Sequence, residues 1–128
     1  MPNSTFTLPA GGYTPGNDTD CLATYHSTAA HYWHSYVYGP IQFVVVSTEH
    51  DFTAGSAQLV WLEAVLASVD RVATPWLIVY GHRPQYCSGL YLNQCGENPS
   101  SPSMAATLRR NMEPLFVKYK ADLMLWGK

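Results

Sequence analysis

Apolar residues fall into blocks whose spacing changes along this chain of 128 residues. Residues 33–38 are aromatic and β-prone, and Gly39-Pro40 breaks the run. Within 41–48, Ile41, Phe43, Val44, Val45 and Val46 are nearly continuous. Such a run predicts a strand buried on both faces of a mixed or parallel sheet. The two segments are spaced to pair as a hairpin about Gly39-Pro40. The spacing then becomes helical. Leu59, Leu62, Val65, Leu66 and Val69, with Trp61 on a flank, predict a helix over 55–69 with Ser56 as its N-cap. Asp70-Arg71 and Thr74-Pro75 end it, and 76–80 is a short apolar strand. Residues 81–102 hold three prolines, two cysteines and no periodicity. Loops this long inside compact domains are usually functional or mobile. Met104, Leu108, Met112, Leu115 and Phe116 predict a second helix over 103–119, which Pro114 is expected to kink or restart. Residues 121–126 form a last strand. Residues 1–30, rich in Gly, Pro, Ser, Thr, Asn and Asp, read as irregular.

The predicted order is β-β-α-β-loop-α-β, which indicates an α/β fold of layered type. In such folds ligands gather beyond the carboxyl ends of the strands. Three segments fall there: Thr48-Glu49-His50-Asp51, Gly81-His82-Arg83-Pro84 and Trp126-Gly127-Lys128.

Composition changes this picture in one respect. Charged residues are 12% and hydrophobic residues 47%, whereas about 25% charge is typical of soluble chains. Two readings stay open: a neutral secreted protein, or a slice of a larger domain whose remainder covers apolar surface. A net charge of -2 gives no basic footprint for nucleic acid. No apolar run is long enough for a membrane span. Residues 1–12 lack the basic start and apolar stretch of a signal peptide.

Tyr38-Gly39-Pro40 and Ser47-Thr48-Glu49-His50-Asp51-Phe52 are similar to segments of purple acid phosphatases, members of the calcineurin-like metallophosphoesterase superfamily. So are Trp61-Leu62-Glu63, Ala67-Ser68-Val69-Asp70-Arg71, Thr74-Pro75-Trp76 and Gly81-His82-Arg83-Pro84-Gln85-Tyr86. Glu113-Pro114-Leu115, Lys118-Tyr119-Lys120-Ala121-Asp122-Leu123 and Leu125-Trp126-Gly127 continue the series in order. The resemblance covers 36–127 and implies a partial α/β sandwich of the metallophosphoesterase type. It implies hydrolysis of small phosphate monoesters at a dinuclear centre, iron with iron, zinc or manganese. Val79-Tyr80-Gly81-His82 resembles the V-x-x-H block of the family, which makes His82 an expected metal ligand. The earlier ligand blocks are absent. Lys128 stands where the first histidine of a final G-H-x-H block is expected. The whole of 1–128 is therefore expected to be an incomplete catalytic domain, with 31–128 as its core. It is expected not to hold the metals alone and to be of marginal stability by itself. The rival expectation is a non-catalytic remnant.

The remaining candidates carry alternatives. Imidazole suits iron and zinc, yet His26, His31 and His34 have no carboxylate or cysteine at ligand spacing and read first as loop histidines. Glu49, His50 and Asp51 read as structural, with a substrate-side or ligand-supporting role as the alternative. Arg83 has the fork to grip a phosphate or, equally, a carboxylate of the fold. Tyr86 is a substrate-contact candidate whose alternative is burial against the loop. Tyr91 and Asn93 lie in the same loop, which has no substrate-facing histidine. Cys87 and Cys95 flank a short Gly/Asn-containing loop that a disulfide can close, leaving Cys21 over. Asn3-Ser4-Thr5 and Asn17-Asp18-Thr19 are N-glycosylation patterns. Together with the resemblance they lead to an expected secreted or vacuolar/lysosomal location.

Overall fold

A computed structural model describes residues 6–7, 32–88, 95–96, 100 and 102–127. Strands β2 (His34–Tyr38) and β3 (Ile41–Val45) pair antiparallel, with Tyr38 opposite Ile41. The predicted hairpin is present. Its turn needs a left-handed residue, and Gly39 takes φ 56° without a side chain to clash. A two-residue strand, β1 (Phe6–Thr7), adds to the outer edge of β2. The reading of 1–30 as wholly irregular is corrected there. Two residues are too few to carry an alternation, and it is the open edge of β2 that recruits them.

Helix α1 (Ala57–Ser68) begins where expected to within two residues. Gly55 is left-handed at φ 84°, Ser56 is extended, and the Ser56 hydroxyl accepts from the Leu59 N–H at 3.2 Å. The helix carries the chain back to β4 (Trp76–Gly81), which runs parallel to β3. Helix α2 (Met104–Lys118) is capped by Ser103, which accepts from Ala106 N–H at 3.2 Å, and returns the chain to β5 (Leu123–Trp126), parallel to β4. The sheet order is β1-β2-β3-β4-β5. Two consecutive β-α-β crossovers place the carboxyl ends of β3, β4 and β5 at one rim.

Two further expectations are corrected. Helix α2 passes through Pro114 as one element, so the expected restart does not occur. Buried Met112 and Phe116 hold it against the core on either side, which offsets the missing backbone donor. The apolar run of β3 is not buried on both faces: burial alternates along it. Val44, Val46, Leu77 and Val79 point to the side covered by α1 and α2. There they pack with Trp61, Leu62, Leu66, Leu108, Met112 and Phe116. The residues between them line a face on which no described helix packs.

Candidate functional site

The rim is tightly built. A Cβ added to Gly81 would lie 2.8 Å from the Trp126 ring and 3.1 Å from Val46. Only glycine lets the ends of β3, β4 and β5 come this close. The Gly127 N–H donates to the Gly81 carbonyl at 3.1 Å, so the chain leaving β5 runs beside His82. All three segments expected at the carboxyl ends reach this rim, with Lys128 outside the described residues.

His82 is the first residue after β4. Its Nδ1 lies 2.5 Å from Glu49 Oε1, and Arg83 Nε donates to the same oxygen at 3.0 Å. The Thr48 hydroxyl donates to Glu49 Oε2 at 2.7 Å and itself accepts from Arg83 N–H at 3.1 Å. Thr48 thus ties the end of β3 to the end of β4. Partial burial works to raise the Glu49 pKa. The hydrogen bonds from Thr48, His82 and Arg83, with the charge of His82, outweigh it and bring the carboxyl to about 2. Glu49 is therefore an anion with both oxygens occupied. The imidazole is 58% exposed, and the hydrogen bond described for its ring is the one at Nδ1. No partner is described for its Nε2.

Behind this cluster, Gln58 of α1 fixes the turn after β3. Its Oε1 accepts from Ser47 N–H at 2.7 Å, and its Nε2 donates to the Ser47 carbonyl at 2.9 Å. A buried amide satisfied twice by backbone is a rigid brace. His50 turns away from His82. Its Nδ1 meets Ser47 Oγ at 2.7 Å and its ring lies 4.1 Å from that of Tyr32. Asp51 accepts from Thr53 N–H and Oγ1 at 2.9 and 2.7 Å, closing a local turn before α1. Of the trio Glu49, His50 and Asp51, only Glu49 reaches the histidine.

Arg83 sits on the Glu49 carboxylate. Tyr86 forms a separate cluster. Its hydroxyl donates to Glu113, and Arg109 lies 5.2 Å over its ring while donating to the Gln85 carbonyl at 2.7 Å. Tyr86 is 57% exposed, so the alternative of burial against the loop is corrected: the ring stands over α2. It lines an open depression of about 460 Å³ with Cys87, Ser88 and Arg109. Cys87 and Cys95 are joined as a disulfide, with Cα atoms 5.5 Å apart. His34 opens β2 opposite Val45, the last residue of β3, and its ring stacks at 6.1 Å from Tyr36. Asn3, Asn17, Cys21, His26, His31, Tyr91 and Asn93 lie outside the described residues.

Among the described residues, no three of His, Cys, Asp and Glu are grouped to hold a metal ion. The rim offers one imidazole, backed by a carboxylate. That fits one ligand position, whereas a catalytic metal takes about three protein ligands. These residues do not fit a two-metal centre by themselves. The residues that sequence reasoning underweighted are Thr48, Glu49 and Gln58. The signal available for Glu49 was its place beyond a strand that neighbours the one ending in His82.

Parallel strands with crossover helices and polar groups at the carboxyl rim define an α/β layer of the ligand-binding kind. No family model matches the chain. It is 40% identical over 101 residues to probable inactive purple acid phosphatase 27 of Arabidopsis thaliana, covering 77% of the chain and 15% of that protein. It is 37% identical over 104 residues to human acid phosphatase type 7, covering 74% of the chain and 24% of that protein. The solved structure of a purple acid phosphatase from yellow lupin seeds superposes with a TM-score of 0.60 at 31% identity, over 91% of this chain and 18% of that one. The chain is a homologue of the purple acid phosphatases over most of its own length, and it spans only a small part of each of these relatives.

Proposed function

We propose that this chain supplies part of the catalytic domain of an acid phosphatase acting on small phosphate monoesters, with His82 as one ligand of a dinuclear metal centre. The observation that carries the reading is the placement of His82. It follows a parallel strand of the homologous sheet, is anchored at Nδ1 by Glu49, and has no described partner at Nε2. The metals would be iron with iron, zinc or manganese. When bound, such a pair supplies a hydroxide nucleophile and neutralises the phosphate. The chain's own contribution is to orient one imidazole. The remaining ligands would come from sequence corresponding to the parts of the relatives that this chain does not span. Arg83, already on Glu49, supports the histidine's partner rather than gripping phosphate. A secreted or vacuolar/lysosomal location goes with this reading, supported by the Cys87–Cys95 disulfide, since disulfides persist in oxidising compartments. Asn3 and Asn17 would be glycan acceptors there.

A second reading is a non-catalytic homologue. It is supported by the names of two Arabidopsis relatives, probable inactive purple acid phosphatases 9 and 27, and by the single described ligand position. The deciding experiment measures bound metal and hydrolysis of p-nitrophenyl phosphate at acidic pH. It is run on this chain and on any longer product of the same gene, each with and without His82→Ala. The leading reading expects metal and turnover in the longer product and loss of both on substitution. Turnover that survives the substitution removes His82 from the site. Absence of metal and turnover in the longer product selects the second reading.

A further inference from the structure

We propose that Glu49 is a positioning residue for His82: it accepts a proton-bearing Nδ1 and so presents Nε2, unprotonated, as the nitrogen available to a metal ion. This deepens the proposed function and rests on it for the identity of what Nε2 binds. The assignment of the tautomer rests on geometry alone.

An ionised carboxylate only accepts hydrogen bonds. With Oε1 at 2.5 Å from Nδ1, a neutral His82 must carry its proton on Nδ1, which leaves the lone pair on Nε2. A neutral histidine free in water prefers the opposite tautomer, with the proton on Nε2, so the partner here selects the less common form. The carboxylate is itself held in place. Thr48 fixes Oε2 at 2.7 Å, and Arg83 Nε fixes Oε1 at 3.0 Å. The same Thr48 oxygen accepts from the Arg83 backbone at 3.1 Å, so the clamp is anchored to both strand ends that meet at His82. Two side chains, Thr48 and Arg83, converge on one carboxylate, whose remaining partner is the imidazole. A plain surface ion pair needs no such support and contributes little by itself. Histidines that bind metals usually give their other ring nitrogen to a carboxylate or carbonyl, which sets the ring orientation and raises the ligating nitrogen's basicity. The cluster reproduces that arrangement, with no described partner at Nε2.

The test is a two-bond 1H–15N correlation spectrum of this chain with 15N-labelled histidine, recorded well above the ordinary imidazole pKa of about 6.5. The expected His82 pattern has Nδ1 protonated and Nε2 bare. Glu49→Ala is expected to shift the ring towards the Nε2–H form. Glu49→Gln, whose amide oxygen can still accept, is expected to keep much of the native pattern. A wild-type His82 protonated on Nε2 overturns the proposal, and that reading requires no variant to fold. In the longer product, Glu49→Ala is expected to weaken metal retention against a chelator by about 10–100-fold. A released tautomer with unchanged retention overturns the metal-directed role. If His82→Ala leaves metal content intact while the wild-type tautomer is as expected, the proposed function fails and the positioning of His82 by Glu49 stands.

Discussion

The two faces of the sheet are made from alternate residues of the same strands, yet they have different fates. On one side Val44, Leu77 and Val79 are completely buried against α1 and α2. On the other, Tyr38, Trp76, Leu123 and Leu125 are between 47% and 62% exposed. Between them Tyr36 stacks on Phe43 at 5.0 Å, and its hydroxyl meets that of Tyr80 at 3.2 Å. Both faces are apolar, but among the described residues helices cover only one. A parallel sheet ordinarily carries layers on both sides, and large exposed apolar patches are rare on soluble monomers. The nearly continuous run in β3 therefore reports composition suited to two covers, of which α1 and α2 provide one. The purple acid phosphatase relatives are several times longer than the segment matched here.

Truncations on the two faces should separate most widely. Leu77→Ala removes a side chain with no solvent exposure from the covered face, and a cost of roughly 2–5 kcal/mol is expected in urea denaturation. Leu125→Ala, 49% exposed on the other face, is expected to stay within about 0.5 kcal/mol. Equal costs would break the comparison and mean that something covers the second face in solution. Self-association is its companion readout: Trp76→Lys is expected to lower the oligomeric fraction in sedimentation if the open face is sticky. The next effect in size is at the rim shared by both faces. Gly81→Ala forces Trp126 or Val46 to move, and about 1–3 kcal/mol of destabilisation is expected from overpacking. An unchanged midpoint would show that the rim is looser than its geometry.

The legibility of these features follows from their physics. The four main strands were readable as short apolar or β-prone runs and the two described helices from apolar residues at helical spacing, with Ser56 marking the start of α1. Strand β1 was not, because two residues make no pattern. Pro114 misled because the rule for an isolated helix ignores Met112 and Phe116, which hold both halves of α2 on the core. At the rim, sequence order placed Thr48-Glu49 and His82 at strand ends. It did not supply the register, with Val45 opposite Tyr80, that brings Glu49 rather than His50 or Asp51 to the ring. Side-chain direction after the last paired residue depends on the Gln58 brace from α1, a contact eleven residues from Ser47 that no local spacing encodes. His82 itself was legible through the family motif alone, since a lone histidine after a strand has many ordinary roles.

A smaller effect than that at the rim lies at the opposite end of the strands, where one carboxylate serves the sheet. Asp122 Oδ2 accepts from the Leu77 N–H at 2.7 Å and pairs with Arg71 Nη2 at 2.9 Å, just before β5. The Leu77 backbone hydrogen bond is the main cause that holds the Asp122 carboxyl below its ordinary 3.8; burial opposes it, and the hydrogen bond and charge of Arg71 add to the lowering. A carboxyl whose pKa is lower folded than unfolded stabilises the fold fully above the unfolded value. That contribution fades as pH falls below 3.8 and is gone below the folded value. Asp122→Ala is expected to cost about 1 kcal/mol near neutral pH, less than a buried charged hydrogen bond because solvent reaches the group. The same variant is expected to show a shallower loss of stability than the wild type as pH falls below 4. Parallel stability curves across that range would mean that the Leu77 N–H finds water as readily as it finds Asp122. The amino end of β4 would then be held by the covered face alone.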